Sequence, residues 1–219
     1  MNVLVTCGPS YEPIDQARRL TNFSTGQLGV TLANALVQAG YLVHCFKGSG
    51  STYPGPLFAQ ACHQFDTNDD LAHGLEEVSR QLAFDAVFHA AALCDYRVEK
   101  MATVDGQTVR SRKFATRDGS LILTLVPALK VLPKLRDWFP HSRIVGWKYE
   151  LEGTSVQALD KGWRQISENR TDACVVNGAA YGLGFGFCTP PDRVLSCPDS
   201  PALGRAILSW LAPPASQAV

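Results

Sequence analysis

Apolar residues fall in short runs that alternate with stretches of helical spacing. The first run, "NVLVTC" at 2–7, ends in glycine and predicts a buried strand followed by a turn. Residues 8–22, with Gly8, Pro9 and Pro13, read as a loop. From Thr25 to Ala39 the apolar positions Leu28, Leu32, Ala35, Leu36 and Ala39 keep helical spacing, and Gly40 supplies the stop. "YLVHCF" (41–46) predicts a second strand, "GSGSTYPGP" (48–56) a loop, and "CHQFD" (62–66) a short third strand. Residues 68–82 open on Asn68, Asp69 and Asp70, and acids suit a helix N-terminus. "FDAVFHAAAL" (84–93) is apolar on both faces, as a central parallel strand must be when helices cover both sides.

Residues 96–126 break this rhythm. They are polar and charged, then alternate in "SLILTLV" (120–126), which predicts a small antiparallel ribbon or flap. The alternation resumes with a helix over 127–139, a strand "RIVGW" (143–147), a helix over 155–168 and a strand "DACVVN" (172–177). A glycine-rich loop, a strand "RVLSC" (193–197) and a helix over 201–211 follow. The expectation is α/β: a Rossmann-like open, mostly parallel sheet with helices on both faces and an antiparallel flap. It occupies residues 1–212 as one domain, with a frayed tail at 213–219. Ligands of such sheets bind at the carboxyl ends of the strands.

Composition narrows the function. The 219 residues carry equal numbers of acids and bases, which argues against nucleic acid or an anionic membrane as partner. No apolar run reaches the roughly 18 residues of a membrane span, and the start lacks a signal peptide's basic region, so the expected location is the cytoplasm. The seven cysteines are scattered without a C-x-x-C pair, which predicts no metal site or disulfide framework.

The candidate chemistry begins at "TNFSTGQLG" (21–29). A helix N-terminus with Gly26 and Gly29 lets phosphate approach unpaired N–H groups, and Ser24 and Thr25 add hydroxyls. A plain helix start with Ser24 as its cap is the alternative. Arg18, Arg19 and Asn22 precede this cradle, with guanidinium forks suited to phosphate or carboxylate. At the end of the most apolar strand, Ala90, Ala91 and Ala92 leave room for a flat ring. There Asp95 is placed to accept from a ribose or base, or to pair with Arg97. His89, inside that strand, fits a satisfied core histidine. Lys113, in "RSRKFATRDG", sits where a mobile segment closes over polyphosphate, or on a solvated charged face. Neither G-x-G-x-x-G nor a G-x-x-x-x-G-K-[ST] loop is present.

These motifs in this order, "NVLVTCGPSYEPIDQARRLTNFSTGQLG", "AAALCDYR", "KFATRDGSLILTLVPALKVL", "IVGWKYELE" and "DACVVN", resemble the phosphopantothenate–cysteine ligase family. The resemblance implies a homodimeric enzyme of coenzyme A biosynthesis that joins 4′-phosphopantothenate to cysteine. The acid's carboxylate attacks the α-phosphate of CTP or ATP, carried with Mg²⁺, and the cysteine amine then displaces the nucleoside monophosphate. It implies catalytic parts for Asn22, Lys113 and Arg18. Nucleotide contacts fall to Gly8, Ser24, Thr25, Gly26, His89, Ala90, Ala91, Asp95, Leu129, Lys130, Val131, Leu132, Trp147 and Lys161. Substrate contacts fall to Arg19 and Asn177. No flavin is expected, because the chain starts at the first strand of the ligase unit. The flap carries one lysine, in "KFAT", where relatives carry several; Gln27 stands where the cradle often has lysine; and Arg164 and Gln165 bracket a second expected basic position. Two other classes stay open: a nucleotide-binding paralogue without turnover, and an NAD(P)-dependent oxidoreductase on the same sheet.

Overall fold

The computed structural model describes residues 1–109, 114 and 119–212. The elements run β1 (Asn2–Cys7), β2 (Tyr11–Pro13), β3 (Arg19–Thr21), α1 (Gln27–Gln38), β4 (Leu42–Gly48), β5 (Ala61–Phe65), α2 (Asn68–Gln81) and β6 (Ala86–His89). Then follow β7 (Tyr96–Thr103), β8 (Leu121–Pro127), a 3-10 turn (Leu132–Lys134), α3 (Leu135–Trp138), β9 (Arg143–Tyr149), α4 (Ser155–Asn169) and β10 (Ala173–Asn177). β11 (Phe185–Thr189), β12 (Arg193–Cys197) and α5 (Ser200–Leu211) complete the order.

Eight strands form one sheet in the order β12-β11-β10-β9-β6-β1-β4-β5. From β10 to β5 every pairing is parallel, and β11 and β12 extend the sheet antiparallel. The chain winds outward from β1 in both directions, so β1 and β6 flank the switch point where open α/β sheets bind ligands. Residue alternation divides the core. Val3 and Val5 of β1 and Phe88 of β6 pack with Leu32 and Leu36 of α1 and Leu203 and Ile207 of α5. Leu4 and Val87 face the other way, onto Leu71 and Leu75 of α2 and Leu135 of α3. The Rossmann-like expectation is thereby met, and β6 is buried at all four positions.

Three expectations change. Residues 8–22 contain the β2–β3 hairpin, paired from Tyr11↔Thr21 to Pro13↔Arg19. Three-residue strands are too short to register as a period. The helix expected over 127–139 is confined to the 3-10 turn and the four-residue α3. Pro133 has no N–H to donate and its ring clashes with a preceding turn, so a helix begins there but does not run through it. The glycine-rich loop before 193 contains β11, whose glycine interrupts the apolar pattern. The flap is present as the β7–β8 ribbon, with a register irregularity between Val98 and Lys100.

Candidate active site

The crevice starts where β1 ends. Gly8 and Gly26, at the two ends of the hairpin excursion, both have left-handed φ, +80° and +81°. A Cβ on Gly26 would lie 3.3 Å from the Gly8 Cα and 2.2 Å from Ser51 Oγ, so only glycine lets the two backbones meet. Ser51 Oγ donates to the Thr25 carbonyl at 2.7 Å, which fastens the loop after β4 to the start of α1. Gly26 is the N-cap and has no side-chain cap bond, so Ser24 does not cap this helix. Thr25 Oγ1 accepts from the Gln27 N–H at 3.2 Å. The opposite wall is the chain beyond β6. Ala92 N donates to the Gly8 carbonyl at 2.9 Å and Ser10 N to the Ala92 carbonyl at 3.1 Å, which continues the sheet pairing past the strand ends.

Two hydrogen bonds join distant motifs at this mouth. Asn22 Nδ2 donates to the Leu93 carbonyl at 2.8 Å. Arg18 Nη2 donates to the Phe114 carbonyl at 2.8 Å, and its guanidinium also grips Asp15. The hydrogen bond from Arg18, then backbone N–H donors beginning with Ala17, hold the Asp15 carboxyl down at about 2. Lys113 precedes Phe114 in the chain and lies outside the described residues, as do Arg110, Arg112, Arg117 and the tail. Arg19 reaches back over the Tyr11 ring, 4.6 Å from its centroid.

His89 is buried with Nδ1 2.8 Å from Thr6 Oγ1, and burial pushes it down to about 4, so it is neutral near pH 7. Asp95 pairs with Lys130 rather than with Arg97. Val131 is buried, and Leu129 and Leu132 pack on the same core cluster. Val131 turns inward, while Leu129 and Leu132 are only half-buried. Trp147 also packs against the core, with its indole N–H buried and unpartnered.

A basic cluster lies beside β9. Lys148 Nζ is 3.1 Å from Glu150 Oε1, and Lys161 grips Oε2. Burial raises the Glu150 carboxyl, but the two ammonium groups outweigh it, and the net shift is downward. Lys148, Lys161 and Arg164 share a shallow cavity of about 270 Å³ with Gln165, Glu168 and Asn169. Gln165 is turned inward, donating to the Trp147 carbonyl at 3.1 Å and accepting from Cys174 Sγ. Of the two residues that bracket the expected basic position, Arg164 brings the charge to this cavity, while the Gln165 amide is spent on Trp147 and Cys174. Asn177 ends β10, and its carbonyl accepts from Glu150 N at 2.8 Å. A larger cavity, about 550 Å³ between α1 and α5, lacks convergent charge.

Sequence patterns gave no part to Ser51, whose partner Thr25 lies in another segment, and none to Asp15 or Glu150 beyond their places in the quoted motifs. Among the described residues no group of three or more His, Cys, Asp or Glu gathers for a metal, and all seven cysteines are free. No helix among them is long and apolar enough to cross a membrane.

The sheet order and its helices define a Rossmann-like α/β protein, a class that binds ligands at the switch point of its sheet. The chain belongs to the family described as the DNA/pantothenate metabolism flavoprotein C-terminal domain, which it matches over residues 1–196. The Coenzyme A biosynthesis bifunctional protein CoaBC of Thermococcus kodakarensis is 28% identical over 175 residues, 80% of this chain and 40% of that protein. The chain thus spans less than half the length of that curated relative. A solved DNA/pantothenate metabolism flavoprotein from Streptococcus pneumoniae superimposes with a TM-score of 0.85 at 21% identity, covering 96% of this chain and 98% of that one. A Cab2 mutant in complex with phosphopantothenate-cysteine superimposes with a TM-score of 0.70 at 17% identity, covering 96% and 84%.

Proposed function

We propose that the chain is a phosphopantothenate–cysteine ligase that works through an acyl-nucleotide. The carrying observation is the convergence of three separated motifs at one mouth. Asn22 bonds Leu93 beyond β6, and Arg18 bonds Phe114 beside the flap lysine. The Cab2 structure bound to phosphopantothenate-cysteine, on the same fold, supports the choice of substrates.

In the first step a carboxylate oxygen of 4′-phosphopantothenate bonds to the α-phosphorus of CTP or ATP. The bond to the β-phosphate's bridging oxygen breaks, and pyrophosphate leaves with the pair. In the second step the unprotonated amine of cysteine bonds to the acyl carbon. The C–O bond breaks, the nucleoside monophosphate leaves, and the amine's proton passes to solvent. Neither step needs covalent help from the protein; both need alignment and cations where charge builds.

The chain's residues divide this work. Gly8, Gly26 and Ala90–Ala92 admit the nucleotide to the backbone, with Ser24 and Thr25 at the start of α1 and Asp95 and Lys130 beside its sugar and base. The backbone at Leu129–Leu132 and the faces of His89 and Trp147 bound that pocket. Lys161, with Lys148 and Arg164, meets the phosphates, and Glu150 spaces the lysines before they do. Lys113 supplies the cation for acyl-nucleotide formation. Asn22 orients the intermediate, Arg18 serves the second step, and Arg19 and Asn177 hold phosphopantothenate. Mg²⁺ enters as part of the triphosphate substrate, bound by its phosphate oxygens. The working unit is a homodimer in the cytoplasm.

A pyrophosphate-release assay with phosphopantothenate and cysteine, run first with CTP and then with ATP, tests the function. Release with either that is lost in Lys113→Gln is the expected result. A folded protein that releases none with any triphosphate overturns it and favours a binding paralogue.

A further inference from the structure

One buried side chain ties together three segments that frame the nucleotide pocket. Asn68, the first residue of α2, is fully buried. Its Oδ1 accepts from Ser10 Oγ at 2.7 Å, and its Nδ2 donates to the carbonyls of Cys94 at 2.8 Å and Leu129 at 2.9 Å. Ser10 Oγ accepts in turn from Cys94 N at 2.8 Å. Both amide protons and the amide oxygen are in use, as burial demands. Ser10 follows β1, Cys94 follows β6 and Leu129 follows β8.

Cys94 and Leu129 immediately precede Asp95 and Lys130, the ion pair at the pocket. Those two side chains are 73% and 57% exposed. An ion pair so open to water contributes little and does not fix the distance between its own backbones. A buried amide bonded to both backbones does. The Ala128 N–H, donating to the Asp95 carbonyl at 2.9 Å, completes the tie.

We infer that Asn68 is a positioning residue for nucleotide binding, whose carboxamide sets Asp95 and Lys130 in register without touching the ligand. It has this part only if the nucleotide lies at Asp95, as proposed above. Removing it releases these segments and leaves the Cys94 and Leu129 carbonyls, the first of them buried, without this donor.

The test compares Asn68→Ala, Asn68→Asp and Thr67→Ala. Thr67 caps the same helix by accepting from Asp70 N at 3.1 Å, so its loss weakens α2 but spares the tie. In Asn68→Ala the amides of Cys94 and Ala128 lose protection against hydrogen exchange. The KM for nucleotide rises about tenfold while kcat and the KM for cysteine stay within about twofold. Asn68→Asp keeps the Ser10 contact but donates to neither carbonyl, and shows the same split. Thr67→Ala lowers stability and leaves the nucleotide KM within about twofold of wild type. An unchanged nucleotide KM in Asn68→Ala, or an equal rise in Thr67→Ala, overturns the assignment. If the wild-type protein turns over no triphosphate, the ligase function itself fails, and lost protection then assigns Asn68 to the fold alone.

Discussion

Arg18 Nη2 donates to the backbone carbonyl of Phe114 at 2.8 Å, while Asp15, its side chain only 1% exposed, holds the same guanidinium from behind. A residue of the β2–β3 hairpin thus anchors the segment that carries the flap lysine. The fork geometry makes both contacts at once, which an ammonium does not reproduce. Arg18→Lys is therefore expected to lower turnover by about tenfold or more, as loosened positioning does. Asp15 titrates at about 2, below its unfolded value of about 3.9. Its contribution to stability is complete above about 3.9 and is lost as pH falls through about 2. Carboxyl NMR titration of Asp15, shifted upward in Arg18→Ala, checks the coupling; an unmoved titration refutes it.

Asn22 donates an amide N–H to Leu93, and a carboxylate has no such donor. Asn22→Asp sets a negative charge beside the Leu93 carbonyl oxygen and, on the proposed function, beside an anionic intermediate. The proposed ligase is then expected to form the acyl-nucleotide still, but to convert it with cysteine about a hundredfold more slowly, the scale of one lost transition-state donor. Mass spectrometry of quenched reactions would reveal the accumulated intermediate. Wild-type conversion in this variant would remove Asn22 from the mechanism.

Gly26 sits at φ +81° with Ser51 Oγ where its Cβ would go. Gly26→Ala incurs left-handed strain and a steric overlap, a loss of roughly 2–4 kcal/mol. Adding Ser51→Gly removes the overlap but not the strain, so the double variant recovers only part. Urea midpoints of the three proteins decide it: full recovery would mean that backbone conformation at Gly26 costs nothing.

His89 is neutral because it is buried, and its folded pKa of about 4 lies below the unfolded value of about 6.5. The sign follows: stability is whole above about 6.5 and declines as pH falls from there to about 4, by up to about 3 kcal/mol. His89→Asn is expected to flatten this limb relative to wild type in unfolding curves taken across that range. Parallel curves for the two proteins would count against a buried neutral imidazole.

Apolar patterning, with glycine stops and acidic helix starts, located β1, α1, β4, β5, α2, β6, β8, β9, α4, β10, β12 and α5, because such repeats favour one element type and one buried face. The same period was blind to β2 and β3, which are too short to repeat, and to β11, where glycine blanks a core position. It overran at 127–139, where spacing said helix but Pro133 could only begin one. Within the site, local chemistry marked Arg18, Asn22, Gly26 and Asp95, since glycines, guanidinium groups and strand-end acids are conspicuous in a string of letters.

Their partners were decided by folding. Lys130 rather than Arg97 meets Asp95, Phe114 meets Arg18, and Ser51 meets Thr25, because sheet order brings loops together that the chain keeps far apart. Asn68 gave no sign in the sequence beyond a polar helix start; only burial beside Ser10, Cys94 and Leu129 turns its amide into a tie. A sequence specifies which side chains can bond, and the tertiary arrangement selects which of those bonds water is kept from replacing.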